Sequence, residues 1–162
     1  MGEEAVSVAF RRESDDEHME PKFELPIPPG PNLVTARGLR LIREEVASIE
    51  AADLTGQDEE AVKKLRRTLR YWRARLATAQ VQPVPAGDVV AFGTRVTYRM
   101  GGSEKRVAIV GHDEAGPNEG RISFTSPLAR AMIGAEAGEC VDFAGKADAI
   151  EIIGIEAVAE DG

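Results

Sequence analysis

The chain has 162 residues, which is enough for one ordinary domain or for a small globular domain with an elongated appendage that needs little core of its own. Its 28 acidic side chains outnumber the 20 basic ones and give a net charge of -8, which argues against nonspecific binding to a nucleic-acid backbone as the main activity and favours a protein partner with a basic surface. A single cysteine, Cys140, no apolar run long enough to cross a bilayer, and a start without signal-peptide character predict a reducing cytoplasm and no membrane contact.

The first segment, residues 1–32, is acidic and becomes rich in proline towards its end. A segment of this composition does not bury enough apolar surface to offset the entropy cost of folding. The sequence therefore predicts an extended or disordered leader before the first folded element.

Two runs with heptad spacing follow, between residues 33 and 82. Thr35 offers a hydroxyl that can cap the first run, and the segment 53–57 between the runs is long enough only for a tight reversal. The apolar positions, three and four residues apart, are Leu39, Ile42, Val46 and Ile49 in the first run and Val62, Leu65, Leu69, Trp72, Leu76 and Ala79 in the second. This narrow stripe favours an antiparallel coiled-coil hairpin; the alternative is a pair of ordinary core helices lying on the downstream domain.

A small β domain is predicted from residue 83 to residue 162, where β-branched residues alternate with glycine turns. Ser126 and Pro127 have the form of a helix start, and Gly101-Gly102 has the form of a hairpin turn. The predicted strands are 89–92, 94–100, 105–110, 122–124, 141–143 and 149–158, with a short helix at 128–133. The chain as a whole is therefore predicted to be α+β, a helical hairpin followed by an antiparallel sheet wrapped on one short helix.

Several stretches of these two predicted domains match the pattern of one known family. In chain order they are Asn32-Leu33-Val34-Thr35-Ala36-Arg37-Gly38-Leu39, Phe92-Gly93-Thr94, Val107-Ala108-Ile109-Val110-Gly111, Gly120-Arg121-Ile122-Ser123 and Ser126-Pro127-Leu128-Ala129-Arg130-Ala131. The last stretch is much more specific than any single glycine pattern. On these residues the chain resembles the GreA/GreB family of bacterial transcript-cleavage factors, as a variant with a short hairpin.

The resemblance implies an FKBP-like C-terminal domain that lacks prolyl-isomerase activity and docks at the rim of the secondary channel of RNA polymerase. It further implies a monomeric elongation factor that rescues stalled complexes by stimulating cleavage of backtracked RNA, with nascent RNA as an indirect partner. The residues expected to dock on polymerase are Asp113, Glu114, Ser126, Pro127, Leu128 and Arg130.

The chemistry that the resemblance implies lies at the hairpin tip, where family members present Asp-Leu-Ser-Glu-Asn. Here the tip reads Asp53-Leu54-Thr55-Gly56-Gln57-Asp58-Glu59-Glu60. Gly56 stands in place of the family's glutamate, and Asp58 and Glu59 are the nearest substitutes. The implied catalytic residues are therefore Asp53, Asp58 and Glu59, with Asp53 as a ligand of a magnesium ion shared with polymerase; the chain alone is not an enzyme and has no cofactor of its own. In the alternative, the acidic residues at 58–60 only cap the second helix and complement its dipole.

The length of the hairpin raises a second function hypothesis. The predicted first helix, 35–52, spans about 25 Å at ~1.5 Å per residue. Family hairpins are longer, so a short arm can leave Asp53 away from the catalytic centre. The chain would then resemble noncatalytic Rnk-like or anti-Gre regulators, which occupy the channel without cleavage. Gly56 and the short arm favour this hypothesis, whereas Asp53 and the acidic cluster favour cleavage, and both remain open.

The second helix is basic although the chain is acidic. Arg66, Arg70 and Arg73 have helical spacing and predict a stripe that meets RNA or an acidic polymerase surface. The alternative is that the cations pair across the hairpin with acidic residues of the first helix. The cations of the second run are Lys63, Lys64, Arg66, Arg67, Arg70, Arg73 and Arg75. The acidic residues of the first run that could pair with them are Glu44, Glu45 and Glu50. The cations are in excess, which favours the stripe.

Other chemistries fit the sequence poorly. His18, His112 and Cys140 have neither the spacing of a metal site nor that of a nucleophile triad. Asp113 and Glu114 have no visible oriented partner and are expected in a solvated loop or a polymerase contact. If the chain were a free-standing isomerase or peptide-binding module, the hairpin and its basic face would have no function in it.

Overall fold

A computed structural model describes residues 24–158 of the chain. Two helices, α1 (Ala36–Glu50) and α2 (Glu59–Thr78), precede a β domain. Within the described range, none of the helices combines the length and the apolar character that a membrane span requires. Most of the predicted leader, His18 included, lies outside the described residues. The boundaries drawn at residues 32 and 82 remain predictions.

The two helices form the antiparallel hairpin that the heptad spacing predicts. Thr35 Oγ1 accepts a hydrogen bond from Gly38 N at 2.9 Å and caps α1 as expected. The apolar stripe is the contact face, since Ile42 and Val46 are buried and the stripe residues of α2 are partly buried. The 15 residues of α1 span about 22 Å at ~1.5 Å per residue, slightly less than predicted.

A very short parallel pair of strands closes the base of the hairpin. Strand β1 (Leu33–Val34) precedes α1, and strand β2 (Gln80–Val81) follows α2. Gln80 N donates to Asn32 O and Gln82 N donates to Val34 O, both at 2.9 Å. The sequence did not predict this pair, because two residues are too few to show the alternation of a strand.

The β domain is built on a five-stranded sheet in the order β5-β4-β3-β7-β6. Its strands are β3 (Thr94–Met100), β4 (Ser103–Val110), β5 (Arg121–Ser123), β6 (Cys140–Phe143) and β7 (Lys146–Ala157). Neighbours are antiparallel except β4 and β5, which are parallel. Gly101 and Gly102 turn β3 into β4 with φ of 61° and 81°, the left-handed conformation that a tight hairpin requires. The predicted α+β fold is confirmed.

One short helix, α3 (Pro127–Met132), covers the sheet and completes the core. Ser126 Oγ accepts from Ala129 N at 3.3 Å, and Pro127 occupies the first helical position, as predicted. The fully or almost fully buried core residues are Val90, Val96, Tyr98, Ile109, Ala129, Met132, Ala135, Ile150 and Ile152. The core therefore lies between α3 and one face of the sheet.

The strand predicted at 89–92 is wrong. Val90 is fully buried, but its N–H donates to Ala135 O and its carbonyl accepts from Gly134 N, both at 2.8 Å. The partner is the loop that follows α3, and the exchange stops after one residue. The β-branched residues of this segment correctly indicated that it is buried. They could not indicate that no neighbouring strand pairs with it.

Candidate functional site

The far end of the hairpin is exposed to solvent. Residues 51–60 are all exposed, and Gly56 turns with φ of 80°. Asp53 Oδ1 accepts a hydrogen bond from Thr55 N at 2.9 Å. This bond, together with the Thr55 side chain, holds the pKa of the Asp53 carboxyl below its ordinary value. Asp53 therefore presents an ionised carboxylate away from the body of the protein.

The other acidic residues of the tip belong to the start of α2. Asp58 Oδ1 accepts from Ala61 N at 2.8 Å and caps the helix, while Glu59 and Glu60 lie exposed in its first turn. This is the capping role that the sequence left open as an alternative for Asp58. The catalytic roles of Asp53, Asp58 and Glu59 remain predictions.

The predicted basic stripe is exposed, and two of its three arginines are in ion pairs. Arg70 binds Glu24 through Nε–Oε1 and Nη2–Oε2 contacts of 2.8 and 2.6 Å. Arg73 Nη2 lies 2.7 Å from Glu50 Oε2 on α1, as the cross-hairpin alternative expects. Arg66 is exposed one turn closer to the tip. Glu24 lies just inside the described part of the leader, and the sequence did not predict a partner for it.

The base of the hairpin is tied to the β domain by buried charge. Arg75, 3% exposed, donates from Nε to Asp113 Oδ2 at 2.6 Å and from Nη2 to Asn32 Oδ1 at 2.8 Å. Tyr71 Oη donates to the other oxygen of Asp113 at 2.5 Å. Burial, the hydrogen bond to Asp113 and the charge of Asp113 all raise the pKa of Tyr71. Sequence reasoning missed this role of Arg75, which had been grouped with the other basic residues of its helix.

A second buried carboxylate holds the start of α1. Glu114 accepts from Thr35 Oγ1 at 2.6 Å and from Arg37 Nη1 at 2.9 Å. A Cβ at position 38 would stand 2.8 Å from Glu114 Oε1, so the glycine allows this close approach. We call the two sets of contacts together the junction; it comprises Asn32, Thr35, Arg37, Gly38, Tyr71, Arg75, Asp113 and Glu114.

The solvated loop expected at Asp113 and Glu114 is therefore wrong. Both side chains are at least nine-tenths buried and bind oriented partners on the hairpin. Partners so distant in sequence leave no local signal. The polymerase-docking role of the two residues remains a prediction, but their carboxylates already have partners within the chain.

The remaining predicted docking residues surround α3. Pro127 and Arg130 are exposed, Ser126 caps the helix, and Leu128 packs against the core. Arg130 also lines an open cleft whose other walls include His112 and Phe124. Of the four, Pro127 and Arg130 are thus the ones available to an external partner.

Among residues 24–158, no group of three or more His, Cys, Asp or Glu side chains could hold a metal ion. His112 and Cys140 are exposed. Within residues 24–158 the tip therefore offers exposed carboxylates but no cluster of metal ligands.

Comparison with known proteins identifies the β domain. The family model described as "Transcription elongation factor, GreA/GreB, C-term" matches residues 84–157. Residues 84–157 of this chain are therefore similar to the C-terminal domain of the GreA/GreB family. The match includes the strands of the five-stranded sheet and α3. It confirms the resemblance for the four motif stretches between Phe92 and Ala131, whereas the stretch at 32–39 lies outside it.

The alignments with curated relatives cover about half the length of each relative. The chain is 44% identical over 88 residues to Transcription elongation factor GreA of Rhodopseudomonas palustris (strain TIE-1), with 51% of this chain and 56% of that protein covered. The same identity and coverage are found with Transcription elongation factor GreA of Caulobacter sp. (strain K31). The chain thus spans about half the length of the relatives it matches, so their activity comes to it only as a proposal.

Solved structures give a weaker likeness over more of the chain. The crystal structure of GreA factor homolog 1 (Gfh1) of Thermus thermophilus is 17% identical, with 79% of this chain and 100% of that chain covered and a TM-score of 0.36. GreA/GreB from Nitrosomonas europaea is also 17% identical, with a TM-score of 0.36. A TM-score this low does not establish a common arrangement of the whole chain.

Proposed function

We propose that this chain is a transcription elongation factor that binds bacterial RNA polymerase in the cytoplasm, as a monomer. The β domain docks at the rim of the secondary channel, and the hairpin enters the channel. The observation that carries the proposal is a GreA/GreB C-terminal domain to which a helical hairpin is fixed by the buried junction, with the ionised Asp53 exposed at the far end.

In the first form of this proposal the factor stimulates cleavage of backtracked RNA. A magnesium ion, held mainly by polymerase, would supply Lewis-acid and water-activating chemistry. Asp53 would add one hard carboxylate oxygen to that site, which is the ligand type that magnesium prefers. The Thr55 amide orients the carboxylate by its bond to Oδ1. The chain therefore completes a site that belongs to polymerase.

Cleavage of 3′ RNA fragments from a backtracked complex tests this form. The wild-type chain is expected to accelerate fragment release, and Asp53→Asn should abolish the acceleration while binding is retained. Asp148→Asn, an exposed change in the β domain at a position with φ of 52°, is the matched control and should cleave normally. Equal cleavage by wild type and Asp53→Asn would exclude Asp53 as the metal ligand.

A second form is favoured by two observations at the hairpin. An α1 of only 15 residues limits how far the tip can reach, and Asp58, the first substitute for the missing glutamate, caps α2. In this form the chain occupies the secondary channel without cleavage, as a Rnk-like or anti-Gre regulator. Absence of fragments with the wild-type chain, together with inhibition of a cleavage-competent factor, would leave only this form.

A further inference from the structure

The described end of the leader contacts α2 at two points, one near the base of the hairpin and one near the middle of the helix. Asn32 Nδ2 donates to Arg75 O at 2.8 Å and to Thr78 Oγ1 at 3.1 Å, near the base. Eight residues earlier in the chain, Glu24 forms its two-point ion pair with Arg70. The described chain therefore begins, at Glu24, beside the middle of α2.

The surface of α2 between Arg70 and the tip is basic. The hydrogen bond from Arg70 and the charges of Arg70 and Arg67 lower the pKa of Glu24. Lys63, Lys64 and Arg66 are exposed on the same stretch of helix. We call Lys63, Lys64, Arg66 and Arg67 the basic face.

The segment that precedes Glu24 has the complementary charge and sufficient length. Residues 13–23 contain the acids Glu13, Asp15, Asp16, Glu17 and Glu20, with Lys22 as the single lysine. Eleven extended residues reach about 36 Å at ~3.3 Å each, whereas the helix from position 70 back to position 59 is about 17 Å long at ~1.5 Å per residue. The segment can therefore cover the basic face and extend to the tip.

We propose that the acidic segment 13–23 of the leader lies on the basic face of α2 and shields it from external polyanions. Glu24 and Arg70 form the first contact of this intramolecular pairing. The exposed cations of an otherwise acidic protein are then occupied by its own chain until a stronger polyanion displaces the segment. This inference concerns the free protein and does not depend on the proposed activity at polymerase.

Paramagnetic relaxation measures the proximity directly. A spin label on Ser14→Cys, in the full chain with Cys140→Ser so that one thiol remains, should reduce the amide signals of residues 59–70 at least about threefold at low salt. The effect should largely disappear in ~1 M salt, where the Debye length is about 3 Å. Unchanged signals at low salt would refute the placement. Lys63→Glu/Arg66→Glu, two exposed changes, should abolish the effect, and persistence in that variant would refute the electrostatic basis.

Shielding is tested with a fluorescein-labelled oligouridylate of about ten nucleotides at low salt. Asp15→Asn/Asp16→Asn/Glu17→Gln should bind this probe about tenfold more tightly than the wild type, because it uncovers the basic face. The matched control removes three exposed acids of the β domain: Asp88→Asn/Glu136→Gln/Asp148→Asn. Its net charge changes by the same amount, and its affinity should change less than about twofold. Equal effects of the two triple variants would refute shielding. Neither experiment contains polymerase, so its outcome is separate from that of the proposed function.

Discussion

Replacing Arg75 by methionine tests whether the junction holds the hairpin to the β domain. The change keeps most of the side-chain volume but removes the bonds from Nε to Asp113 and from Nη2 to Asn32. Arg75 and Asp113 are only 3% and 7% exposed, so the Asp113 charge would stay buried with Tyr71 as its remaining described partner. Removal of one member of a buried ion pair costs about 3–5 kcal/mol. Because Tyr71 remains, we expect about 3 kcal/mol for Arg75→Met.

Urea unfolding at neutral pH, followed by circular dichroism, measures this loss. Arg73→Met is the matched control, since it breaks an ion pair on the same helix whose members are 57% and 45% exposed. An exposed pair contributes about 0–1 kcal/mol, so the control should unfold nearly as the wild type does. A loss for Arg75→Met no larger than that for Arg73→Met would refute the assignment of Arg75 as the principal tie between hairpin and sheet.

Three further predictions follow from the contacts described. Gly38→Ala should destabilise by about 1–3 kcal/mol in the same urea assay, despite the better helix propensity of alanine, because its Cβ would press against Glu114. Burial raises the pKa of Tyr71 and Tyr98 above 10.0, so the folded protein retains protons that the unfolded chain releases; stability should fall as the pH rises above about 10, and less steeply in Tyr71→Phe. Arg130→Glu should weaken binding to core polymerase at least about tenfold in a pull-down titration while the urea midpoint stays unchanged, and undiminished binding would reject its docking role.

The sequence predicted the features of the fold that depend on local pattern. Heptad spacing identified both helices and their contact face, with Ile42 and Val46 at its centre. Thr35 and Ser126 were recognised as caps because a capping hydroxyl acts on an amide only three residues away. The turn at Gly101-Gly102 was recognised for the same reason, since its positive φ values are a local requirement.

The features that escaped prediction depend on residues distant in sequence. Nothing in the spacing of Arg75 distinguishes it from Arg73, yet one is buried against Asp113 and the other is exposed. The 38 residues that separate Arg75 from Asp113 leave no periodic signal. At the tip the difficulty is a different one. The sequence placed Asp53 and Asp58 near the turn of the hairpin but left open whether Asp58 caps the second helix. The hydrogen bond from Ala61 N shows that it does.

A junction built from buried charges fixes the orientation of the hairpin more than it raises the free energy of unfolding. The two effects can be measured separately. Ion pairs require particular geometry, whereas apolar side chains of similar volume tolerate several arrangements. Arg75→Met/Asp113→Leu removes both charges and should recover most of the stability that Arg75→Met loses. If the junction serves to direct the tip, the double variant should still bind polymerase but lose at least about tenfold of its effect there, whether cleavage or channel occupancy. Full activity at recovered stability would show that the buried pair has no orienting role.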